Sequence, residues 1–206
     1  MPVAGWKQLM PVYFYSALVV CLLALSRGDE LSLIWKVFLV SLGVLSWTSI
    51  EYVLHRFVFH YRPRTAFGRR LIYAAHLAHH ENPRATNRLF SSLGVSLPVA
   101  AAYLLLTWLV SGSLQTAAHL FAGLTAGYFV YEWLHFQAHH SRPRLRVLRY
   151  LRRYHLLHHY QTPKLRYGVT SPLFDLLLGT FRPVRRKPAV SAQKRKSSGA
   201  ISSSVV

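Results

Sequence analysis

The sequence predicts an all-α integral membrane protein: four transmembrane helices in two hairpins, with a cytosolic, histidine-rich helical cap. Three observations predict it. Long stretches carry almost no charge, basic residues crowd to one side of those stretches, and 11 of the 12 histidines fall within four short windows.

Residues 8–26 contain no charged side chain and make the first span. Residues 31–50 carry one charge, Lys36, near an end where its long stem reaches the interface; the second span is read over 31–54. From 89 to 131 there is no Asp, Glu, Lys or Arg, but Ser111-Gly112-Ser113 and Gln115 interrupt the run. A bilayer core takes about 20 apolar residues per helix, so this run is two spans, 89–110 and 114–136. The first segment is read as a span rather than a signal peptide. No small-x-small cleavage site follows it, and a second span comes almost at once. Gly123-x-x-x-Gly127 is read as packing the fourth helix against another within the chain.

Loop charge sets the orientation. The connection Arg27-Gly28-Asp29-Glu30 is nearly neutral and 111–117 is uncharged, whereas 61–88 holds six arginines and the chain after His140 adds 15 Lys or Arg. Both termini and the basic segments are therefore expected on the cytoplasmic face, of a bacterial inner membrane or the endoplasmic reticulum. Residues 1–183 are read as one membrane domain and 184–206, which hold Arg185-Arg186-Lys187 and Lys194-Arg195-Lys196, as a flexible basic tail.

Composition excludes several classes. With 52% apolar and 14% aromatic residues the chain is not a disordered one. A net charge of +19 on so apolar a chain fits a membrane protein attracted to anionic lipid, and no nucleic-acid partner is expected. A single cysteine, Cys21, rules out an internal disulfide framework and any multi-cysteine metal site within one chain.

The histidines carry the chemistry. The windows are His55-x4-His60, His76-x2-His79-His80, His135-x3-His139-His140 and His155-x2-His158-His159. Together they span 22 residues, where even scattering would leave about one histidine. On a helix, positions three and four apart share a face, so the last three windows can each aim two imidazoles at one point. Imidazole binds iron, zinc, copper and nickel. Eleven ligands exceed what one ion takes, so the count points to two metals close together, at headgroup depth on the cytoplasmic side. His119, in mid-span, stands outside every window and is read as a packed or pore-facing residue.

Carboxylates are few. Glu51 precedes His55 by four residues and Glu132 precedes His135 by three; each is expected to accept the ring N–H not used for metal. Glu81 follows His80, and Asp175 is read as pairing with an arginine of the tail. An all-imidazole pair of metals at a membrane boundary suits oxygen chemistry better than hydrolysis, for which bridging carboxylates are too scarce. Heme ligation by histidine pairs fits poorly, because adjacent residues point about 100° apart on a helix.

These stretches resemble a known family. Glu51-Tyr-Val-Leu-His-Arg-Phe-Val-Phe-His60, His76-Leu-Ala-His-His80, Tyr131-Glu-Trp-Leu-His-Phe-Gln-Ala-His-His140 and Tyr154-His-Leu-Leu-His-His-Tyr160 are followed by Gly168-Val-Thr-Ser-Pro-Leu-Phe-Asp175 and Gly179-Thr-Phe181. Over roughly residues 45–183 this resembles the fatty acid hydroxylase superfamily, nearest its fatty acid 2-hydroxylase branch, with sterol desaturases as cousins. The resemblance implies a dimetal centre in the cytosolic cap and O2-dependent hydroxylation at carbon 2 of a fatty acyl chain entering from the membrane. It implies His55, His60, His76, His79, His80, His135, His139, His155, His158 and His159 as metal ligands. His140 matches its box too, at a position where the family's boxes differ. No catalytic residue beyond the ligands is implied. Iron is the expected metal of the active enzyme, with zinc a ready occupant of purified material, and O2 is co-substrate. Several eukaryotic relatives carry a fused cytochrome b5 domain. This chain has no His-Pro-Gly-Gly heme motif, so a separate electron donor of cytochrome b5, ferredoxin or reductase type is expected. Other readings are a sterol, carotenoid or polyprenoid hydroxylase or desaturase, and a metal-binding membrane protein without catalysis. The sequence leaves the oligomeric state open.

Overall fold

The computed structural model describes residues 6–26 and 31–184, and among them every regular element is helical. In order these are α1 (Trp6–Leu25), α2 (Leu33–Val53), α3 (Ala66–Ile72), α4 (Ala78–Glu81), α5 (Leu93–Ser111), α6 (Leu114–His140), α7 (Arg146–Tyr160) and α8 (Leu173–Leu177). Two π-helical turns are inserted, Leu54–Phe59 running on from α2 and Tyr73–Leu77 between α3 and α4. The four long helices α1, α2, α5 and α6 fall where the four spans were expected, within a few residues at each end. The Arg27–Glu30 connection and the basic tail beyond Val184 lie outside the described residues.

Local chemistry sets the helix ends. Ser32 accepts from the Trp35 N–H at 3.4 Å and Ser113 from the Thr116 N–H at 3.2 Å, each capping an otherwise orphaned donor. Gly112 takes a left-handed φ of 63°, which terminates α5 and turns the chain into α6.

Helix α6 is the axis of the molecule, touching α1, α2, α5 and α7. Its buried face is rich in small residues, Ala117, Ala118, Gly123, Thr125 and Gly127, so its neighbours approach closely. A Cβ on Gly123 would stand 2.9 Å from the Gly43 Cα, and one on Gly127 would stand 2.6 Å from the Trp47 Cβ. The two glycines thus seat α6 on α2 within the chain, as read from their spacing. Around this seam Tyr128 packs edge-on to Trp47 and Tyr15, at 5.3 and 5.8 Å between ring centres. Gly123→Leu is expected to lower the melting temperature in detergent through an overpacking cost of about 1–3 kcal/mol. Gly94→Ala, whose new Cβ meets nothing nearer than the Ser92 Oγ at 3.7 Å, is expected to leave it unchanged. Equal melting temperatures for the two variants would contradict the close α2–α6 seam.

The outward surfaces are apolar. The helical stretches Leu33–Phe59 and Thr86–Ser111 are long and apolar enough to cross a membrane, and α1 adds a shorter apolar run, Leu9–Leu25. Ile34 and Val110 are 82% and 80% exposed, among many large apolar side chains facing outward.

Candidate metal centre

Four helix ends meet at one end of the bundle: the π turn after α2, the π turn with α4, the C-terminal turns of α6, and the C-terminal half of α7. They bring ten of the twelve histidines into two adjoining nests. Nest one is His55, His60, His76, His80 and His158; nest two is His79, His135, His139, His155 and His159. Within each, one ring nitrogen per residue lies within 4.8 Å of all the others.

The spacing explains the partition. In each His-x-x-His-His window the outer pair, four residues apart, shares a nest, as for His76 with His80 and His155 with His159. The middle residue, His79 or His158, points to the other nest, because neighbours on a helix diverge by about 100°. His55 and His60 are five apart, which an α-helix would set on different faces. The π turn brings them together: the His60 N–H bonds the His55 carbonyl at 3.3 Å, an i→i+5 closure, and the rings lie 5.1 Å apart. Helical periodicity alone gave no sign of this turn.

The nests fit metal ions. Two nitrogens bound to one ion at about 2.1 Å and at right angles to one another lie about 3.0 Å apart. The Nε2 atoms of His76 and His80 are 2.9 Å apart, as are those of His79 with His135 and His139 with His155. His60 and His158 are at 3.2 Å. The Nε2 of His55 and both ring nitrogens of His159 are buried without a hydrogen-bond partner, a cost that ligation would remove. Burial also disfavours the charged, doubly protonated form of the rings. It pushes His60 and His79 down to about 4, His158 to about 3, and His80 and His139 to about 2. The donors are neutral at pH 7, the form that binds metal.

One expected ligand stands elsewhere, and so does the residue read as lying outside the site. His140 joins neither nest; one residue beyond His139, its ring turns away to lie against Phe136 at 4.7 Å. His119 is remote, as read from the sequence, and its Nδ1 bonds the Gln115 carbonyl at 2.8 Å.

The carboxylates act differently from expectation. Neither Glu51 nor Glu132 accepts from a histidine ring. Glu51 takes the backbone N–H groups of Val169 and Thr170 and the Thr170 hydroxyl. Glu132 takes the Ser91 N–H at 2.9 Å. The acceptors for the rings are backbone carbonyls: Tyr167 O for His55 Nδ1 at 2.5 Å and Leu165 O for His158 Nδ1 at 2.7 Å. A carbonyl only accepts, so both Nδ1 atoms carry the proton and both Nε2 atoms face nest one. The strap that supplies these carbonyls, residues 165–170, is held from below by Glu51 and from behind by Asp175. Asp175 is fully buried and accepts from Tyr167 N at 2.9 Å, Gly168 N at 2.8 Å and the Thr180 hydroxyl at 2.6 Å. Its expected pairing with an arginine of the tail lies outside the described residues. Within the strap Arg166 sits at a left-handed φ of 63°, a conformation costly for a non-glycine residue. Its N–H bonds Thr180 O at 3.1 Å and its guanidinium bonds Thr162 and the Arg182 carbonyl. The strap was invisible to helix-based spacing because it is not helical; its Gly168-Val-Thr170 part entered only through the family resemblance.

His55 of nest one stands in the wall of an apolar chamber. Glu51, His55 and Phe59 line it near the nest, and Tyr15, Trp47, Val99, Phe121 and Leu124 line its length. It follows α6 from Phe121 to Tyr131, about 15 Å of helix.

Known proteins resemble this chain in sequence and in fold. The chain is 34% identical over 184 residues to a dihydroceramide fatty acyl 2-hydroxylase of Arabidopsis thaliana, covering 87% of this chain and 73% of that protein. It is 36% identical over 149 residues to a ceramide very long chain fatty acid hydroxylase of Saccharomyces cerevisiae, covering 70% of this chain and 38% of that one. Its fold matches the solved full-length scs7p structure, in which only the hydroxylase domain is visible. The TM-score is 0.77 at 29% identity, over 89% of this chain and 71% of that one. The fatty acid hydroxylase family model matches residues 40–180, which contain both nests, the strap and its two carboxylates. With that match and these relatives, the chain belongs to the fatty acid hydroxylase family.

Proposed function

We propose that the protein is a non-heme, dimetal monooxygenase that hydroxylates carbon 2 of a fatty acyl chain, using O2 and electrons from a separate donor protein. One observation carries the reading furthest: an apolar chamber reaches His55, a member of one of two adjoining all-histidine nests. The relatives named for fatty acyl 2-hydroxylation support the position and the substrate class.

In this reading α1, α2, α5 and α6 cross a membrane as two hairpins, with both termini and the nests on the cytoplasmic side and residues 1–183 as one domain. The apolar outer surfaces and the arginine-rich segments beside the nests support it. The ten nest histidines hold two iron ions, which supply the activation of O2 and the insertion of one oxygen atom into a C–H bond.

The chain's own residues supply the selectivity. The chamber walls draw an acyl tail out of lipid and fix its line beside α6. Each buried methylene contributes about 0.8 kcal/mol relative to water, so position comes from shape rather than from gross affinity. Only the carbons nearest the polar end, where Glu51 and Ser91 line the chamber, reach nest one. That places an atom next to the acyl carbonyl at the site. The packed aromatics Trp47, Tyr128 and Tyr131 exclude water from the same space.

The test is expression in a host, extraction of its lipids, and mass spectrometry for a one-oxygen gain. Gain at carbon 2 of an acyl chain is the expected result. Gain on a ring system would favour the sterol or polyprenoid reading, and no new product the non-catalytic one. Ala100, buried and lining the chamber, gives a second check. Ala100→Phe is expected to cut turnover of the longest acyl chains about tenfold while sparing shorter ones; an unchanged chain-length profile would contradict the chamber as the acyl site. Removal of residues 187–206 is expected to leave activity and metal content intact, and loss of either would contradict the reading of that segment as a loose tail.

A further inference from the structure

We propose that the two nests hold metal with unequal strength: the strap 165–170, clamped by Glu51 and Asp175, makes nest one the tight site and leaves nest two the exchangeable one. This rests on the dimetal reading above and goes beyond it.

The asymmetry lies in what stands behind the rings. In nest one, His55 and His158 each donate Nδ1–H to a strap carbonyl. Such a bond fixes the tautomer, holds the ring plane and raises the basicity of the nitrogen that faces the metal. The strap that carries the carbonyls is itself anchored. Asp175 takes the N–H groups of Tyr167 and Gly168, and Glu51 takes those of Val169 and Thr170 together with the Thr170 hydroxyl. A further link runs from Arg56 to the Tyr52 hydroxyl at 2.7 Å, from Tyr52 to Thr180 at 2.8 Å, and from Thr180 to Asp175. It ties the strap back to α2, the helix that delivers His55.

Nest two lacks this backing. The Nδ1 atoms of His79, His135 and His155 are buried and meet no hydrogen-bonding group among the described residues. Glu132, the carboxylate nearest in sequence to His135, is engaged with Ser91. Among the described residues no hydrogen bond at Nδ1 selects the tautomer or strengthens the donor in these three rings. Loss of an outer partner of this kind costs 10–100-fold in metal affinity in other proteins, and the same factor is expected between the nests. Toward the metal, Glu51 and Asp175 are thus positioning residues: neither belongs to a nest, and both act through the strap that carries the carbonyls of Leu165 and Tyr167.

The experiment uses the full chain in detergent, loaded with zinc, challenged with EDTA and followed by elemental analysis of zinc per chain against time. Two phases are expected, one ion leaving about 10–100-fold faster than the other. His135→Ala should keep only the slow ion and His158→Ala only the fast one. Thr170→Val, which deletes one hydroxyl from the clamp, and Asp175→Asn should accelerate the slow phase and leave the fast one unchanged. Melting temperatures verify that each variant is folded, and the wild-type time course stands without them. Release of both ions in a single phase overturns the proposal while leaving the dimetal reading intact, as does slow release from His158→Ala. Acceleration of both phases together by Thr170→Val or Asp175→Asn overturns the role of the clamp, since a merely structural defect would loosen both nests. A wild-type chain that takes up no zinc overturns the dimetal reading itself.

Discussion

His158→Ala and His79→Ala, one in each nest, reduce hydroxylation to background and lower the metal content, whereas His119→Ala retains most of both. The three residues are the same chemical group in one chain, so the contrast isolates position. His158 is 0% exposed, with its Nδ1 on the Leu165 carbonyl and its Nε2 3.2 Å from that of His60. Alanine there removes one of five converging donors and strands a buried carbonyl. His79 is 2% exposed and its Nε2 lies 2.9 Å from that of His135. His119 sits on α6 far from both nests, bonded only to the turn before it through Gln115. Metal per chain by elemental analysis and product by lipid mass spectrometry check the prediction. Normal metal and turnover in His158→Ala, or equal loss in His119→Ala, would contradict the assignment of the nests.

Complete removal of metal has the second large effect. A chelator that empties both nests is expected to abolish turnover. Ferrous iron with O2 and a reductant should restore it, and zinc should fill the nests without restoring it. The physical ground is the donor set. Ten neutral imidazoles bind iron and zinc alike, but zinc has no accessible redox change. Emptying the nests should also destabilise the fold locally, because nitrogens such as His55 Nε2 are buried with no partner in the chain. Restoration by zinc would contradict the oxygen chemistry while leaving the metal site standing.

Much of this was legible in the sequence, and the reason is periodicity. Uncharged runs placed α1, α2, α5 and α6 within a few residues, since the lengths of the runs and the break at Ser111–Ser113 are local properties. The spacing of the histidines foretold that each helical window aims two imidazoles at one point; that the pairs four apart are the ones that share a nest, and that His79 and His158 go to the other, follows from the helical angle once the fold is seen. What stayed hidden needed contacts between distant residues or a departure from α-helical geometry. His60 reaches nest one through a π turn that no α-helical spacing suggests. Glu51 sits four residues from His55 and looked like its partner, but the strap, more than a hundred residues later in the chain, offers N–H groups that bind a carboxylate better. Asp175 was read only as a partner for the tail, and its burial as the anchor of the strap had no local signal. His140 shared a window with ligands yet points off the face that His135 and His139 define.

The central claim is that two metal ions sit side by side in these nests. Anomalous X-ray scattering from crystals of the iron-loaded protein tests it most directly. Two peaks per chain are expected, one enclosed by the Nε2 atoms of His76 and His80 and the other by those of His79 and His135. A single peak, or none among these rings, would contradict the account.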